Sequence, residues 1–464
     1  MAVILNFDAK EYEKIWPQIL AIVIGGLAGF SNGLLFSWSS PFLIKITQDK
    51  VNYDITEHEA SYFNTIQPIA LMIACPIFSK LSDIIGRKRT LLLIVIPQIG
   101  SWLCAALGRT VYTFYVSRMF SGIADGCLYA TLPTYIGEVA NPTVRGIWGN
   151  AVALSIISGE FMINVLGSYL GVTTTSWACL PIPVLFFVLF WFMPESPYTY
   201  IMKGKEEEAK NSLRFLKRIK NVDEIFENCK YAVERQLSES GTWIDLFKEK
   251  SNRKALFAGI FLRLSQQMAG DSVFLTYTQF IFQKSGNNMS HEEASIVFMG
   301  LAVTLNLLSV IFVINRFGRI FCYTVSMVTT SGVLFAMGAY FYIDGNTNID
   351  LSSVNWIPLA CMMSYLLFAS IGIAVIPTLM LGELLSASIK SKALTILLIT
   401  YGVGNFLTST IFYQLNTLLG FYAPFLLFAM SNAVCAVTSR YIIPETKGKS
   451  LEEIQQILKG NLKN

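Results

Sequence analysis

Three carboxylates inside apolar stretches are the residues of this chain best placed to do chemistry. Asp125, Glu160 and Asp271 each interrupt a run of apolar residues. A carboxylate at membrane depth is costly and usually functional, so Glu160 and Asp271 are candidates to carry a proton or bind a ligand. Asp271 has a second interpretation, because Arg263 lies eight residues earlier and could hold it in a buried ion pair, directly or through a water.

The rest of the sequence offers no catalytic, metal-binding or nucleotide-binding set. His58 and His291 have no cluster of partner residues, and the eight cysteines are scattered without a C-x-x-C pair. Gly448-Lys449-Ser450 is similar to the end of a P-loop, but Ile443 occupies the position of its first glycine. We therefore expect neither an enzyme nor an ATP-driven pump, and no cofactor or metal.

Composition predicts that much of the surface faces lipid. Of the 464 residues, 53% are apolar and only 14% are charged, against about 25% charged in a soluble protein. A helical span needs about 20 mostly apolar residues, so the chain has room for about twelve. The net charge of +4 is too small to indicate nucleic-acid binding. The lipid bilayer is the expected environment.

The apolar runs predict an all-α membrane protein with twelve transmembrane helices in two six-helix bundles. The runs lie near 16–42, 62–85, 91–108, 111–136, 146–171, 176–193, 256–283, 294–314, 320–343, 354–385, 393–416 and 420–443. The predicted division is a cytoplasmic N-tail (1–15), a first bundle (16–194), a cytoplasmic helical linker (195–254), a second bundle (255–443) and a cytoplasmic C-tail (444–464).

Lysine and arginine predict the orientation, since they concentrate in cytoplasmic loops. With both termini inside, the linker alone holds thirteen Lys and Arg residues, whereas the outer loops hold only Lys45, Lys50, Arg109 and Lys284. The sequon Asn288-Met289-Ser290 falls in the outer loop after the seventh span, so Asn288 is a candidate glycosylation site.

The two bundles repeat short motifs at the inner ends of their spans. Gly137-Glu138 with Arg145 recurs as Gly382-Glu383 with Lys390, Pro194-Glu195-Ser196 as Pro444-Glu445-Thr446, and Asp83-Ile84-Ile85-Gly86-Arg87 as Asn315-Arg316-Phe317-Gly318-Arg319. Parallel repeats of this kind are typical of transporters whose site lies between the halves near the bilayer midplane.

Charged residues of these motifs predict a cytoplasmic gate. In the first half the gate residues are Asp83, Arg87, Arg118, Glu138, Arg145 and Glu195, and in the second half they are Arg316, Glu383, Lys390 and Glu445. Ion pairs between moving helices would form when the inner side is shut and break when it opens. The alternative interpretation is that these charges are topology signals and interfacial anchors. A channel would not need such paired gates.

An ordered set of motifs gives the chain a family resemblance. The set is Asp83-x-x-Gly86-Arg87-Lys88, Arg118-x-x-x-Gly122, Pro133-x-Tyr135-x-x-Glu138-Val139-Ala140, Arg145-Gly146, Pro194-Glu195-Ser196-Pro197, Gln266-Gln267-x-x-Gly270 and Pro444-Glu445-Thr446-Lys447-Gly448. Together these motifs resemble the sugar porter branch of the major facilitator superfamily over nearly the whole chain. Within it the chain is most similar to insect facilitated trehalose transporters. The resemblance implies a plasma-membrane protein that carries a small-molecule sugar and works as a monomer.

The resemblance also implies a sugar site. Its residues would be Gln266, Gln267, Ser272, Tyr277, Asn405 and Thr378. The alternative is that buried amides such as Gln267 only bond one helix to another. Binding groups of the family are replaced at four positions, by Ala153, Val303, Thr378 and Gly402. These losses predict a larger cavity that suits a ligand such as a disaccharide.

Coupling and transport leave two alternatives open. Proton-linked relatives carry a carboxylate in span one at the position of Ser39, whose hydroxyl cannot cycle a proton, so we expect passive transport. Proton-coupled transport of a sugar or polyol through Glu160 or Asp271 is the first alternative. A non-transporting sugar sensor is the second, although only about twenty residues follow Pro444 for signalling.

Overall fold

The computed structural model consists of helices joined by short turns. It describes residues 14–238, 241–285, 289–309, 316–386, 388–449 and 451–459. Twelve spans form two six-helix bundles related by pseudo-symmetry, so the predicted fold class is confirmed.

The first bundle contains spans 1 to 6. Their helices are Trp16–Phe36 and Ser39–Gln48 (span 1), Phe63–Ile85 (span 2), Arg87–Leu93 and Val95–Leu107 (span 3), Val111–Val139 (span 4), Ala151–Tyr169 (span 5), and Val172–Cys179 and Pro181–Trp191 (span 6). Two short helices, Glu57–Ser61 and Pro142–Trp148, lie in the loops before spans 2 and 5.

The second bundle contains spans 7 to 12. Their helices are Lys250–Met268, Asp271–Thr276 and Thr278–Lys284 (span 7), His291–Leu308 (span 8), Arg319–Asn346 (span 9), Ile357–Ile371 and Ile376–Leu384 (span 10), Lys390–Leu418 (span 11) and Tyr422–Ile442 (span 12). A 3-10 turn, Ser352–Val354, precedes span 10. The linker helices are Pro197–Met202, Glu206–Lys217, Asp223–Ser238 and Trp243–Lys248, and the last helix is Leu451–Lys459.

Nine helices in the described ranges are long and apolar enough to cross a membrane by length and composition. They correspond to all the spans except 4, 7 and 8. Span 4 carries Arg118 and Asp125, and span 7 is broken at Gly270. Span 8 begins with His291 followed by two glutamates. In these three spans, polar and charged residues lower the hydropathy of the helix.

Glycines allow the closest helix contacts. A methyl group on Gly33 of span 1 would overlap the carbonyl oxygen of Ile156 in span 5, and one on Gly159 would overlap that of Phe30. Between spans 2 and 4, a methyl group on Gly126 would lie 2.6 Å from the Ala74 Cβ. Small residues let backbones approach in this way, so spans 1 and 5 pack as one unit.

The break in span 7 has a local cause. Gly270 has a φ of +89°, a left-handed conformation that ends the helix after Met268 and restarts it at Asp271. A methyl group there would also lie 2.6 Å from the Phe274 ring. The break separates Gln266 and Gln267, at the end of Lys250–Met268, from Asp271 and Ser272, at the start of Asp271–Thr276. The break therefore places the polar side chains of both segments near one another within the span.

Candidate functional site

Gln267 is the buried polar side chain with the largest unmet hydrogen-bonding capacity in span 7. It is 0% exposed, and neither its amide nitrogen nor its amide oxygen has a hydrogen-bond partner among the described residues. Its Cγ packs against span 11, where a methyl group on Gly404 would lie 2.8 Å away. Asn405 is the next residue, is 5% exposed, and accepts a 3.2 Å bond from the Ser409 hydroxyl.

The neighbouring Gln266 connects two charged groups of the second half. Arg263 Nη1 donates to Gln266 Oε1 at 3.1 Å, and Gln266 Nε2 donates to Asp271 Oδ2 at 3.2 Å. The predicted pairing of Arg263 with Asp271 is therefore mediated by a glutamine amide. Arg263 also donates to Thr378 Oγ1 at 3.3 Å and lies over the Tyr401 ring at 5.4 Å from its centroid.

Ser272 and Tyr277 occupy different levels of span 7. Ser272 is 1% exposed and faces the Tyr401 hydroxyl of span 11. Tyr277 packs its ring on Phe412, with centroids 5.0 Å apart, and donates its hydroxyl to the Ser61 carbonyl at 3.5 Å. Because Ser61 belongs to the first half, Tyr277 connects the two halves.

A second glutamine-mediated connection lies in the first half. Arg118 Nη2 donates to Gln67 Oε1, and Gln67 Nε2 donates to Asp125 Oδ2 at 2.6 Å. Asn32 of span 1 donates to Asp125 Oδ1 at 2.9 Å. Arg118 also donates to the carbonyls of Leu35 at 2.6 Å and of Phe63 at 3.2 Å.

These contacts correct the placement of Arg118 in the cytoplasmic gate. Arg118 is 1% exposed and lies seven residues into span 4, which begins with Val111 at the end that the predicted orientation places outside. Glu138 lies near the other end of the same helix, about 30 Å away at 1.5 Å per residue. The motif Arg118-x-x-x-Gly122 indicated a position near a helix end but not which membrane face that end occupies.

Glu160 of span 5 has no cationic partner among the described residues. Its side chain is buried, and its Oε2 atom makes no hydrogen bond. The charged groups that interact with it are the carboxylates of Asp271 and Asp125. Three carboxylates from spans 4, 5 and 7 therefore approach one another in the interior of the molecule.

Polar contacts connect spans 1, 5 and 7 at the end of the molecule that the sequence predicts to be the outer one. Ser37 Oγ donates to the Leu275 carbonyl at 2.8 Å, and Ser39 Oγ donates to the Thr276 carbonyl at 3.4 Å. Gln279 donates its backbone N–H to Ser40 Oγ at 3.4 Å and its side chain to Ser168 Oγ at 3.1 Å. We call Ser37, Ser39, Ser40 and Gln279 the outer seam.

The predicted gate residues of the first half form ion pairs within that half. Arg87 Nε lies 3.1 Å from Glu138 Oε2, and Arg87 Nη1 lies 3.1 Å from Asp83 Oδ1. Glu195 accepts the backbone N–H of Lys88 at 2.9 Å and so caps the start of span 3. Gly86 makes room for this carboxylate, because it lacks a side chain and has a φ of +111°.

The second half repeats the arrangement with one correction. Arg319, and not the predicted Arg316, pairs with Glu383, at 3.1 Å. Arg316 is exposed, and its backbone carbonyl accepts from Lys447 at 2.6 Å. The repeat aligns Gly318-Arg319 with Gly86-Arg87, so the glycine identifies the correct arginine.

Glu445 caps span 9 as Glu195 caps span 3. It accepts the backbone N–H groups of Arg319 at 2.9 Å and Ile320 at 3.2 Å. Burial opposes ionisation of Glu445, but these bonds, with those from Thr446 and Lys447, together hold its pKa below the usual value. The carboxylate is therefore ionised at neutral pH and fixes the C-tail to the start of span 9.

Arg145 and Lys390 lie apart from these ion pairs. Arg145 donates to the Gly137 carbonyl at 3.4 Å and interacts electrostatically with Lys390 of the other half. Within the described ranges neither residue forms an ion pair with Glu138 or Glu383. Asn288, the predicted glycosylation site, lies outside the described residues.

Sequence reasoning missed four residues of this interior. Asn32 and Gln67 bond to Asp125, while Tyr129 and Tyr401, whose ring centroids are 6.4 Å apart, meet from the two halves. A polar residue inside an apolar run was the available signal for Asn32 and Gln67. Tyrosine is common at membrane depth and near interfaces, so nothing distinguished this pair.

Comparison with known proteins agrees with this architecture. The sequence profile described as sugar (and other) transporter matches residues 19–458. A facilitated trehalose transporter Tret1 from Bombyx mori is 30% identical over 98% of this chain and 90% of its own length. That from Apis mellifera ligustica is 29% identical over 98% and 92%. Against that from Drosophila willistoni, at 29% identity, the chain spans only 52% of the relative's length.

Solved structures share the fold. An inward-open conformation of the xylose transporter XylE from E. coli has a TM-score of 0.75 at 19% identity, covering 96% of this chain and 100% of that one. The proton:xylose symporter XylE bound to 6-bromo-6-deoxy-D-glucose has a TM-score of 0.74 at 20% identity, with the same coverage.

Proposed function

The chain belongs to the sugar transporter family, and we propose that it carries trehalose or a hexose passively across the plasma membrane by alternating access. It is a multi-pass membrane protein and a transporter rather than an enzyme. The relatives named as facilitated trehalose transporters support trehalose as the first substrate to test.

The unpartnered amide of Gln267 is the observation that carries this proposal. A buried amide without hydrogen bonds costs about 1–3 kcal/mol in proteins, so such a group is retained for a ligand that supplies the partners. Sugar hydroxyls both donate and accept, and Gln267 offers one donor group and one acceptor. The proposed site continues on both sides of the break in span 7, with Gln266 before it and Ser272 after it. Asn405 of span 11, Thr378 and Tyr277 complete the proposed site.

Passive transport is supported by span 1. Ser39 donates to Asn64 and to the Thr276 carbonyl, and it holds no titratable proton. Proton-coupled transport through Glu160 or Asp271 is the second candidate, favoured by the unpartnered Oε2 atom of Glu160. A sensor that binds sugar without moving it is distinguished from both by measuring flux.

Two rigid halves, residues 16–194 and 255–443, are the proposed moving parts. The ion pairs of Arg87 and Arg319 hold helices together within each half, whereas the outer seam joins the halves and must open for sugar to enter. These ion pairs thus keep each half rigid, and the linker 195–254 connects the two halves. We propose cytoplasmic termini and a monomeric working unit.

Flux through purified protein in liposomes tests the proposal directly. Labelled trehalose, glucose, fructose and a polyol are supplied outside the vesicles. The label reports sugar uptake, and a pH dye inside the vesicles reports any accompanying proton movement. Saturable uptake of at least one sugar without internal acidification is expected. Absence of flux for every sugar, with binding retained, would indicate a sensor, and acidification that accompanies uptake would indicate symport.

Cross-linking the outer seam tests alternating access. In the double variant Ser40→Cys with Gln279→Cys, the two positions approach through a 3.4 Å contact between the halves. Oxidation should stop flux, and reduction should restore it. The single variant Ser40→Cys is the control for the native cysteines. Unchanged flux through the oxidised double variant would rule out opening at the outer seam.

A further inference from the structure

Arg118 of span 4 and Arg263 of span 7 are both buried, and each is connected to an aspartate through a glutamine. In the first half a glutamine amide bridges Arg118 and Asp125, and in the second half Gln266 bridges Arg263 and Asp271. In each case the guanidinium donates to the amide oxygen and the amide nitrogen donates to the carboxylate. Each bridge therefore pairs one basic side chain with one acidic side chain.

Glu160 is a buried acid without a basic partner among the described residues. It is 4% exposed, and its Oε2 atom has no partner in the described part of the chain. The titratable groups that interact with it, Asp271 and Asp125, are also acids and cannot supply a positive charge, and each already accepts a bond from a glutamine. An uncompensated buried carboxylate is neutralised either by a proton or by a positively charged ligand.

The position of Glu160 favours a ligand over a structural role. It lies on span 5 of the first half, and its electrostatic neighbour Asp271 lies on span 7 of the second half, beside the break. Gln267, with its unpartnered amide, is on the same span as Asp271. Unsatisfied polar atoms from both halves therefore surround the region between them, where a transported molecule must pass.

We propose that Glu160 binds a protonated amine, and that the transported substrates include amino sugars. This inference rests on the proposed function. In this arrangement Gln267 bonds the hydroxyls of the ring, and the ammonium group donates to the Glu160 carboxylate. A neutral sugar would fill the same space but leave the charge of Glu160 to a proton.

Three ligands of similar shape test the inference. Glucosamine carries an ammonium at neutral pH, N-acetylglucosamine carries a neutral amide at the same position, and glucose carries a hydroxyl. Uptake into proteoliposomes and the ligand-induced shift of melting temperature are measured for each. We expect a KM for glucosamine about 10- to 100-fold below that of the other two, the range of one hydrogen bond between charged groups.

Two substitutions assign the preference to its residue. Glu160→Gln should abolish the preference for glucosamine, and Glu160→Asp, which keeps the charge, should retain part of it. Melting temperatures of both variants show whether the fold is intact. Equal KM values for the three ligands in the natural protein would overturn the inference, as would a preference that survives Glu160→Gln. Proton uptake that accompanies glucose and disappears in Glu160→Gln would also overturn it. Failure of all three sugars and of trehalose would instead refute the proposed function.

Discussion

Replacing Gln267 by leucine should separate stability from transport. The two side chains have similar volume, so the substitution removes the amide and leaves the packing against Gly404. Because both amide atoms lack partners without substrate, their loss removes a desolvation penalty of about 1–3 kcal/mol. The variant should therefore be as stable as the natural protein or more stable.

Transport should change in the opposite direction. Two hydrogen bonds to sugar, at about 0.5–1.5 kcal/mol each, correspond to a total of about 1–3 kcal/mol. That loss raises the KM for sugar roughly 5- to 150-fold. Sugar should also raise the melting temperature of the natural protein and not that of Gln267→Leu, since a ligand stabilises only the state it binds.

A second glutamine of the same span provides the matched control. Gln279 is equally buried, but its amide donates to Ser168 Oγ and to Ser295 Oγ, each at 3.1 Å. Gln279→Leu should lower the melting temperature, because it leaves partners unsatisfied. Melting of detergent-solubilised protein and uptake by proteoliposomes give both quantities. If Gln267→Leu melts earlier, as Gln279→Leu should, the amide is structural and the assignment of the site is wrong.

Three further predictions concern packing and the inner charges. Gly33→Ala should lower the free energy of unfolding by about 1–3 kcal/mol, because the added methyl group overlaps the Ile156 carbonyl. In the control Gly332→Ala no atom lies within 4 Å of the added methyl group, so the melting temperature should rise slightly. Equal effects of the two substitutions would contradict the helix contact. Arg319→Ala should lower both the melting temperature and the flux, because it removes the ion pair with Glu383. Arg316→Ala keeps the backbone bond from Lys447 and should leave both quantities near the natural values. A larger effect of Arg316→Ala would restore the sequence-based assignment. The depressed pKa of Glu445 means that its contribution to stability is present above the usual glutamate value near 4.3 and is lost as the pH falls through the lower folded value. The melting difference between the natural protein and Glu445→Gln should therefore shrink between pH 7 and pH 3, and a difference that grows in acid would refute this.

Hydropathy and repetition determined the architecture without the structure. A bilayer requires each span to be a long helix with internal hydrogen bonds, so the apolar runs and the repeated motifs together indicated the positions of twelve spans. The repeated Gly-Arg and Pro-Glu motifs indicated two related halves, and the structure contains their ion pairs and helix caps. The glutamines and acids of span 7 stood out for the same reason, because polar residues inside apolar runs are rare.

Tertiary structure alone decided which polar groups meet. Arg118 and Glu138 share a helix, but their partners come from residues more than fifty positions away, and their depths in the membrane separate them. The bridges through Gln67 and Gln266 depend on atoms that packing between spans brings together, and so does the lack of a partner for the Glu160 Oε2 atom in the described ranges. Hydrogen bonds act over about 3 Å, and the order of residues along a chain does not set such distances between helices.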